Sequence, residues 1–194
     1  MRIIVVGASG SGKTTFARRV EHRLRLPRIE LDAINWQAGW RDIRQHDPDE
    51  FVRRVTQAIA ADEWVADGNY GDVRDLIWRR ATHLVWLDYP RPVVMTRVVL
   101  RSLARVVLRT ELWPGTGNRE HWRDLWHSDH PIRDAWRSSA TYHRDYADCL
   151  KSPEYAHLHV QRLRHPVATR RALEVLAANA YAERSKSPVR EATP

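Results

Sequence analysis

The sequence predicts an α/β protein: a three-layer α/β/α domain around a central five-stranded parallel sheet, with a helical lid-like insertion before the last strand. Three observations predict it. Short apolar runs alternate with longer stretches whose apolar residues recur every three or four positions, the pattern of strand–helix units that feed a parallel sheet. The first run ends in a glycine-rich loop that opens a helix. Three acids, Asp32, Asp67 and Asp88, stand where apolar runs end, at the sheet edge where ligands of such folds bind.

Each element follows in chain order. Arg2–Val6 is a buried strand ending at glycine. Lys13–Leu26 places Phe16, Val20 and Leu24 at four-residue intervals and stops before Pro27, which predicts a helix. Ile29–Leu31 is a short second strand. Asp47-Pro48-Asp49-Glu50 is a helix start, with Asp47 as N-cap and Pro48 in the first helical position; the helix turns Phe51, Val52, Val55 and Ile59 inward. Trp64–Ala66 is the third strand, Asp72–Arg80 a short helix and Thr82–Leu87 the fourth strand. Pro92–Arg109 is a long helix, apolar over most of its surface. Pro114, Gly115 and Gly117 break the chain, and His121–Leu150 is polar, aromatic and helix-permissive. His157–Leu163 is the fifth strand, and His165-Pro166 precedes a last helix that runs to about Ala182. One domain thus spans 1–182, with the insertion at about 110–148, and the polar segment 183–194 reads as a disordered tail.

With 194 residues the chain suits one domain with a sizeable core. Its formal charge is +8, almost all of it arginine, since the lysines are Lys13, Lys151 and Lys186. Arginine binds phosphate and carboxylate through a bidentate fork, so one reading is a polyanionic ligand, nucleotide or nucleic acid; the other is an arginine-rich genome. The single cysteine, Cys149, excludes an internal disulfide, and nothing around it pairs a nucleophile with a base. Ile3–Val6 is too short for a signal-peptide core, and no stretch approaches the roughly 20 apolar residues of a membrane span. A cytoplasmic protein without a membrane partner is expected.

Gly7-Ala8-Ser9-Gly10-Ser11-Gly12-Lys13-Thr14 matches the phosphate-binding pattern G-x-x-x-x-G-K-[ST], with a strand before it and an amphipathic helix after it. The glycines let successive N–H groups converge on phosphate, and the helix N-terminus adds partial positive charge. Residues from Gly7 to Thr15 are therefore the expected ATP-binding set. Lys13 reaches the β- and γ-phosphates, and the Thr14 hydroxyl binds Mg2+. Phosphoryl transfer also needs an acid to hold the metal and often another to orient or deprotonate the acceptor. Asp67, followed by glycine, is the first choice for the metal. Asp32, ahead of Trp36 and Trp40, is the choice for the acceptor. Asp88 lies two residues before Pro90 and reads as a cap or turn, and any strand-end acid can be a helix cap.

These residues resemble the nucleoside-monophosphate-kinase superfamily of P-loop proteins, and most closely its small bacterial adenylate-kinase-like members often labelled DNA topology modulation proteins. The resemblance rests on Gly7–Thr15, Glu30-Leu31-Asp32 with Trp36, Trp64–Tyr70, Val85–Pro90, Gly117–Glu120 and Pro153–His157, and runs from about 1 to 175. It implies a P-loop NTPase core, an acceptor arm between the second and third strands, and a mobile lid before the fifth. It also implies a loop at His165-Pro166 whose backbone reads adenine. Asp67-Gly68 lies where adenylate kinases carry Asp-Gly, but here Asn69-Tyr70-Gly71 follows instead of Phe-Pro-Arg. An acid just after the second strand is similar to shikimate- and gluconate-type kinases, which phosphorylate small hydroxylated molecules.

Arg97, Arg101, Arg105 and Arg109 form one stripe on the long helix. The stripe is either a solvated face or a nucleotide contact made by its C-terminal members, Arg105 or Arg109. Among the insertion arginines Arg119, Arg123, Arg133, Arg137 and Arg144, the pair Arg133 and Arg137 is expected to close over the γ-phosphate and neutralise transition-state charge. Trp64, Trp78 and Trp86 read as core. Trp36 and Trp40 either wall the acceptor pocket or staple a loop. Trp113, Trp122, Trp126 and Trp136 interleave with arginines, which suits a packed helical lid or stacking on nucleic acid. His121, His127, Asp129 and His130 have irregular spacing and no cysteine, a weak zinc pattern. His157 and His159 alternate on a strand and read as structural. The sequence thus predicts a Mg-ATP-dependent phosphotransferase acting on a small-molecule or nucleotide acceptor. The alternative is a nucleic-acid-associated P-loop ATPase. A GTPase is disfavoured by the lack of an Asn-Lys-x-Asp motif.

Overall fold

The computed structural model describes residues 1–126 and 131–186. Its elements, in chain order, are β1 (Arg2–Gly7), α1 (Lys13–Leu24), β2 (Arg28–Glu30), α2 (Leu31–Asn35), β3 (Trp36–Gln37), β4 (Arg41–Asp42), α3 (Ile43–His46), α4 (Pro48–Ala58), β5 (Trp64–Asp67), α5 (Gly71–Arg80), β6 (His83–Leu87), α6 (Arg91–Leu108), β7 (Glu111–Leu112), β8 (Asn118–Arg119), α7 (Pro131–Cys149), β9 (His159–Leu163) and α8 (Ala168–Lys186). Five strands form one parallel sheet in the order β2-β5-β1-β6-β9. Glu30 and Val5 both pair with Asp67, and Gly7 pairs with Leu87, so the P-loop and the strand-end acids emerge at one edge.

Alternation along β1 divides the core. Ile3 and Val5 face α1, α6 and α8, whose Phe16, Val20, Val98 and Leu176 complete one apolar layer. Ile4 and Val6 face α4 and α5, with Phe51, Val55, Ile77 and Trp78. The expected core tryptophans Trp64, Trp78 and Trp86 are all buried in this second layer. The α7 helix belongs to both layers: Ala135 joins the first and Tyr146 the second. Between them its His143 lies 3.0 Å from Asp88, just past β6.

Local chemistry sets the boundaries. Asp47 caps α4 by accepting from the Glu50 N–H at 3.1 Å. α1 and α6 each stop at an arginine in the left-handed region, Arg25 and Arg109, two residues short of the expected end at Leu26 for α1. Leu31 opens α2 instead of closing the second strand. His157 lies before β9, where its ring meets the Trp78 carbonyl. The last helix, expected to end near Ala182, continues through Lys186; the rest of the expected tail, 187–194, lies outside the described residues.

The insertion differs most from expectation. Its first part, read as a break, is an antiparallel hairpin in which Glu111 pairs with Arg119 and Leu112 with Asn118. The Glu111 carboxylate accepts from the Gly115 and Gly117 N–H groups at 2.9 and 2.8 Å and closes the turn. Only the second part, α7, is a long helix, and it packs along α6.

Candidate active site

The loop between β1 and α1 is held by packing from two sides. Gly10 has φ +85°, and a Cβ there would lie 2.8 Å from both the Val94 carbonyl oxygen and Val98 Cβ, so α6 presses directly on the loop. From the other side, Asn69 grips Gly7: its Oδ1 accepts from the Gly7 N–H at 3.3 Å, and its Nδ2 donates to the Gly7 carbonyl. Gly12, with φ 95°, delivers the chain into α1. Lys13 Nζ donates to the carbonyls of Gly7 and Ala8 at 2.8 and 3.2 Å. Thr15 is exposed on the first turn.

The structure brings the two residues expected on the metal side, Thr14 and Asp67, together. Thr14 Oγ1 donates to Asp67 Oδ2 at 2.6 Å, although the two residues come from α1 and β5. Asp67 is 3% exposed, and burial, only partly countered by the Thr14 bond, pushes its carboxyl up to about 6. Its second oxygen, Oδ1, is buried without a hydrogen-bond partner; the closest cation is Arg28 at 3.7 Å. A buried carboxylate with one orphan oxygen beside a hydroxyl is an oxygen donor set that suits a hard divalent cation.

Asp32 lies in the first turn of α2, and its Oδ1 accepts from the Tyr70 hydroxyl at 2.7 Å. Tyr70 lies against Phe51 and beneath the Arg44 guanidinium, and burial followed by the Asp32 charge drives its phenol pKa upward. Asp32 also acts on the phosphate side. Burial lowers the Lys13 ammonium pKa, while the charges of Asp32 and Asp67 oppose that shift. A cavity of about 130 Å³ opens nearby, lined by Gly68, Asn69, Tyr70, Arg74, Tyr142 and Asp145 among others.

The arginines are redistributed. Arg109, expected at the nucleotide, is an exposed helix end. The members of the stripe that touch the P-loop are N-terminal to it: Arg97 donates to the Ser11 carbonyl at 3.2 Å and Arg101 to Ser9 Oγ at 3.3 Å. Burial and the neighbouring Arg105 push the Arg101 guanidinium down to about 10, still cationic at neutral pH, and its Nε is buried without a partner. Arg105 instead binds Glu120 at 2.7 Å. Arg133 and Arg137 are exposed on α7 and line an outer groove with Met95, Ile132 and Trp136. The α7 charge that acts on Lys13 is Asp134.

Asn69, Tyr70 and Arg101 join these residues although no sequence motif singled them out. Asn69 and Tyr70 stood in plain view after Asp67-Gly68, and Arg101 stood in the stripe. Helical spacing places residues on a face; it does not say what that face meets. Asp88 Oδ2 accepts from Arg162 Nε at 2.8 Å and lies 2.7 Å from its Nη2, while Oδ1 lies 3.0 Å from His143 Nδ1, an anchor for β9 and α7. Trp36 and Trp40 serve as a staple, packed with Trp113 at centroid separations of 5.8 to 6.5 Å. Trp122 and Trp136 are exposed. Among the described residues no group of three or more His, Cys, Asp or Glu side chains converges as a metal site would require; His127, Asp129 and His130 of the zinc pattern lie outside the described residues. No helix among the described residues is long and apolar enough to cross a membrane.

No protein-family model matches the chain, and no curated protein matches it in sequence. Solved structures do match in fold. A shikimate kinase from Acinetobacter baumannii, in complex with shikimate, superposes with a TM-score of 0.52 over 95% of both chains at 18% identity. A shikimate kinase from Bacteroides thetaiotaomicron gives 0.54 over 93% of this chain and 98% of its own, at 15% identity. The five-stranded parallel sheet with flanking helices is thus the P-loop α/β fold of the shikimate-kinase type.

Proposed function

We propose that this chain is a kinase that transfers the γ-phosphoryl group of ATP to a small hydroxylated acceptor bound beside Asp32. The observation that carries the reading is the convergence, at one sheet edge, of the P-loop, the Thr14–Asp67 pair and Asp32, whose charges act on one another. Mg2+ would be held by Thr14 Oγ1 and the Asp67 carboxylate; when bound it neutralises charge on the β- and γ-phosphates. The P-loop N–H groups and Lys13 hold the phosphates, and Arg101 supplies a buried positive charge at Ser9. An acceptor hydroxyl attacks the γ-phosphorus, the bond to the β–γ bridging oxygen breaks, and the hydroxyl proton passes to the Asp32 carboxylate, leaving ADP and a phosphate ester. Tyr70 holds that carboxylate in place.

A small acceptor is favoured by the arm itself. The indole of Trp36 stacks on Trp113 and meets Trp40 edge-on, so Trp36 is engaged with the protein, while Trp40 keeps 38% of its surface exposed. One fold neighbour was solved with shikimate, a small hydroxylated acid, in keeping with this class.

ADP release coupled to a panel of sugar acids, cyclic polyols, nucleosides and nucleoside monophosphates tests the proposal. One acceptor should raise ADP release far above the ATP background. Lys13→Ala should abolish the signal, and Asp32→Asn should lower kcat by on the order of 10² to 10⁴ through loss of the base. Slow ATP turnover that no acceptor stimulates would sink the kinase reading.

A further inference from the structure

The hairpin β7–β8 and the acceptor arm β3–β4 meet through residues 78 and 81 positions apart in sequence, joined by one buried side chain. Asn118 is 2% exposed. Its Oδ1 accepts from the Trp40 N–H and its Nδ2 donates to the Gln37 carbonyl, both at 2.9 Å, so one amide satisfies both faces of the arm's turn. Beside it, Trp113 packs on Trp36 and Trp40 and donates its indole N–H to Glu30 Oε1 at 3.0 Å. Trp40 and Trp113 both have φ of 59°, a region bulky residues rarely adopt. Two such outliers facing each other mark a junction that the surrounding contacts enforce. Past the hairpin, Glu120 binds Arg105, one turn from the Arg101 that touches the P-loop.

We infer that Asn118 is a positioning residue for the acceptor: it latches the hairpin to the arm and so holds the arm that follows Asp32 in place. This inference rests on the kinase reading and deepens it. Asn118 touches neither phosphate nor acceptor. It acts through the arm, whose α2 helix carries Asp32 at its start and leads directly into Trp36. Releasing the arm costs acceptor binding, because the pocket must then be ordered by the acceptor itself, while the P-loop keeps its Asn69 and α6 contacts.

The test compares wild type with Asn118→Ala, which loses both bonds, and Asn118→Asp, which keeps only the acceptor to the Trp40 N–H. Loss of two buried hydrogen bonds should raise the acceptor KM by about tenfold to a hundredfold in the alanine variant, and at least as much in the aspartate variant, whose second carboxylate oxygen opposes the Gln37 carbonyl oxygen. MgADP affinity by calorimetry should match wild type, which also reports that the variant is folded. With 5-fluorotryptophan incorporated, the ¹⁹F resonances of Trp36, Trp40 and Trp113, assigned by single Trp→Phe changes, should move together in Asn118→Ala while those of Trp64 and Trp78 stay. If the wild type phosphorylates an acceptor and Asn118→Ala keeps its KM, or if MgADP affinity falls in step with KM, the positioning role is overturned and the kinase reading stands. If the wild type phosphorylates nothing in the panel, the kinase reading fails and takes this role with it.

Discussion

At the scale of single residues, the proposed site turns on which arginine would reach the phosphates. Arg101 is buried against the P-loop with its Nε unpaired, whereas Arg133 and Arg137 stand exposed in the outer groove. Arg101→Ala should therefore lower kcat by on the order of 10² to 10³ with little loss of fold, as expected for removal of one preorganised charge. Arg133→Ala and Arg137→Ala should cost less; steady-state kinetics on the three variants give the ranking. A larger loss in Arg137→Ala than in Arg101→Ala would instead favour closure of α7 over the γ-phosphate, the role the sequence suggested. The glycine loop and the positions of Asp32 and Asp67 were legible because they are tied to local sequence, just after strands and at a helix start. Arg101 was visible only as part of a stripe, since the partner that selects it is a loop about 90 residues earlier.

At the scale of elements, helix signals in the sequence were reliable where a cap fixes them. Asp47→Ala should reduce stability by about 1 kcal/mol in urea titration, because one N-terminal N–H of α4 loses its acceptor, and ATP binding should be retained. Gly68 shows a constraint of another kind. Its φ is +145°, and a Cβ would sit 2.7 Å from Leu31 Cβ, so Gly68→Ala should destabilise by about 1 to 3 kcal/mol through overpacking. A thermal melt equal to wild type would refute that packing. The β7–β8 hairpin was not legible: two-residue strands carry no periodicity, and Pro114, Gly115 and Gly117 read as punctuation alone.

At the scale of the whole molecule, the sheet is pinned at its N-terminal edge by His83, 1% exposed between Thr82 and Asn179. Burial depresses the imidazole pKa below its ordinary 6.5, because the charged form is poorly solvated there. The folded state then binds the proton less readily than the unfolded chain. Its contribution to stability is complete above about pH 6.5 and is lost as pH falls through the lowered folded value. Differential scanning calorimetry should show Tm falling from pH 7 to pH 5, with a shallower fall in His83→Gln. Equal slopes would remove this residue from the pH response. The opposite edge is bridged by α7, which joins both apolar layers and meets Asp88 through His143.

Strand–helix alternation, the phosphate loop, the acids at the strand ends and the buried tryptophans Trp64, Trp78 and Trp86 were determined by the sequence alone. Each depends on periodicity or on residue types at fixed spacing, which are local properties of a chain. Tertiary structure decided the rest: that α6 lays Arg97 and Arg101 on the P-loop, that Asn69 and Tyr70 brace Gly7 and Asp32, and that the insertion divides between a hairpin held to β3–β4 and a helix across the sheet edge. Those contacts join residues separated by tens of positions, and their partners are chosen by packing between elements, which no local pattern encodes.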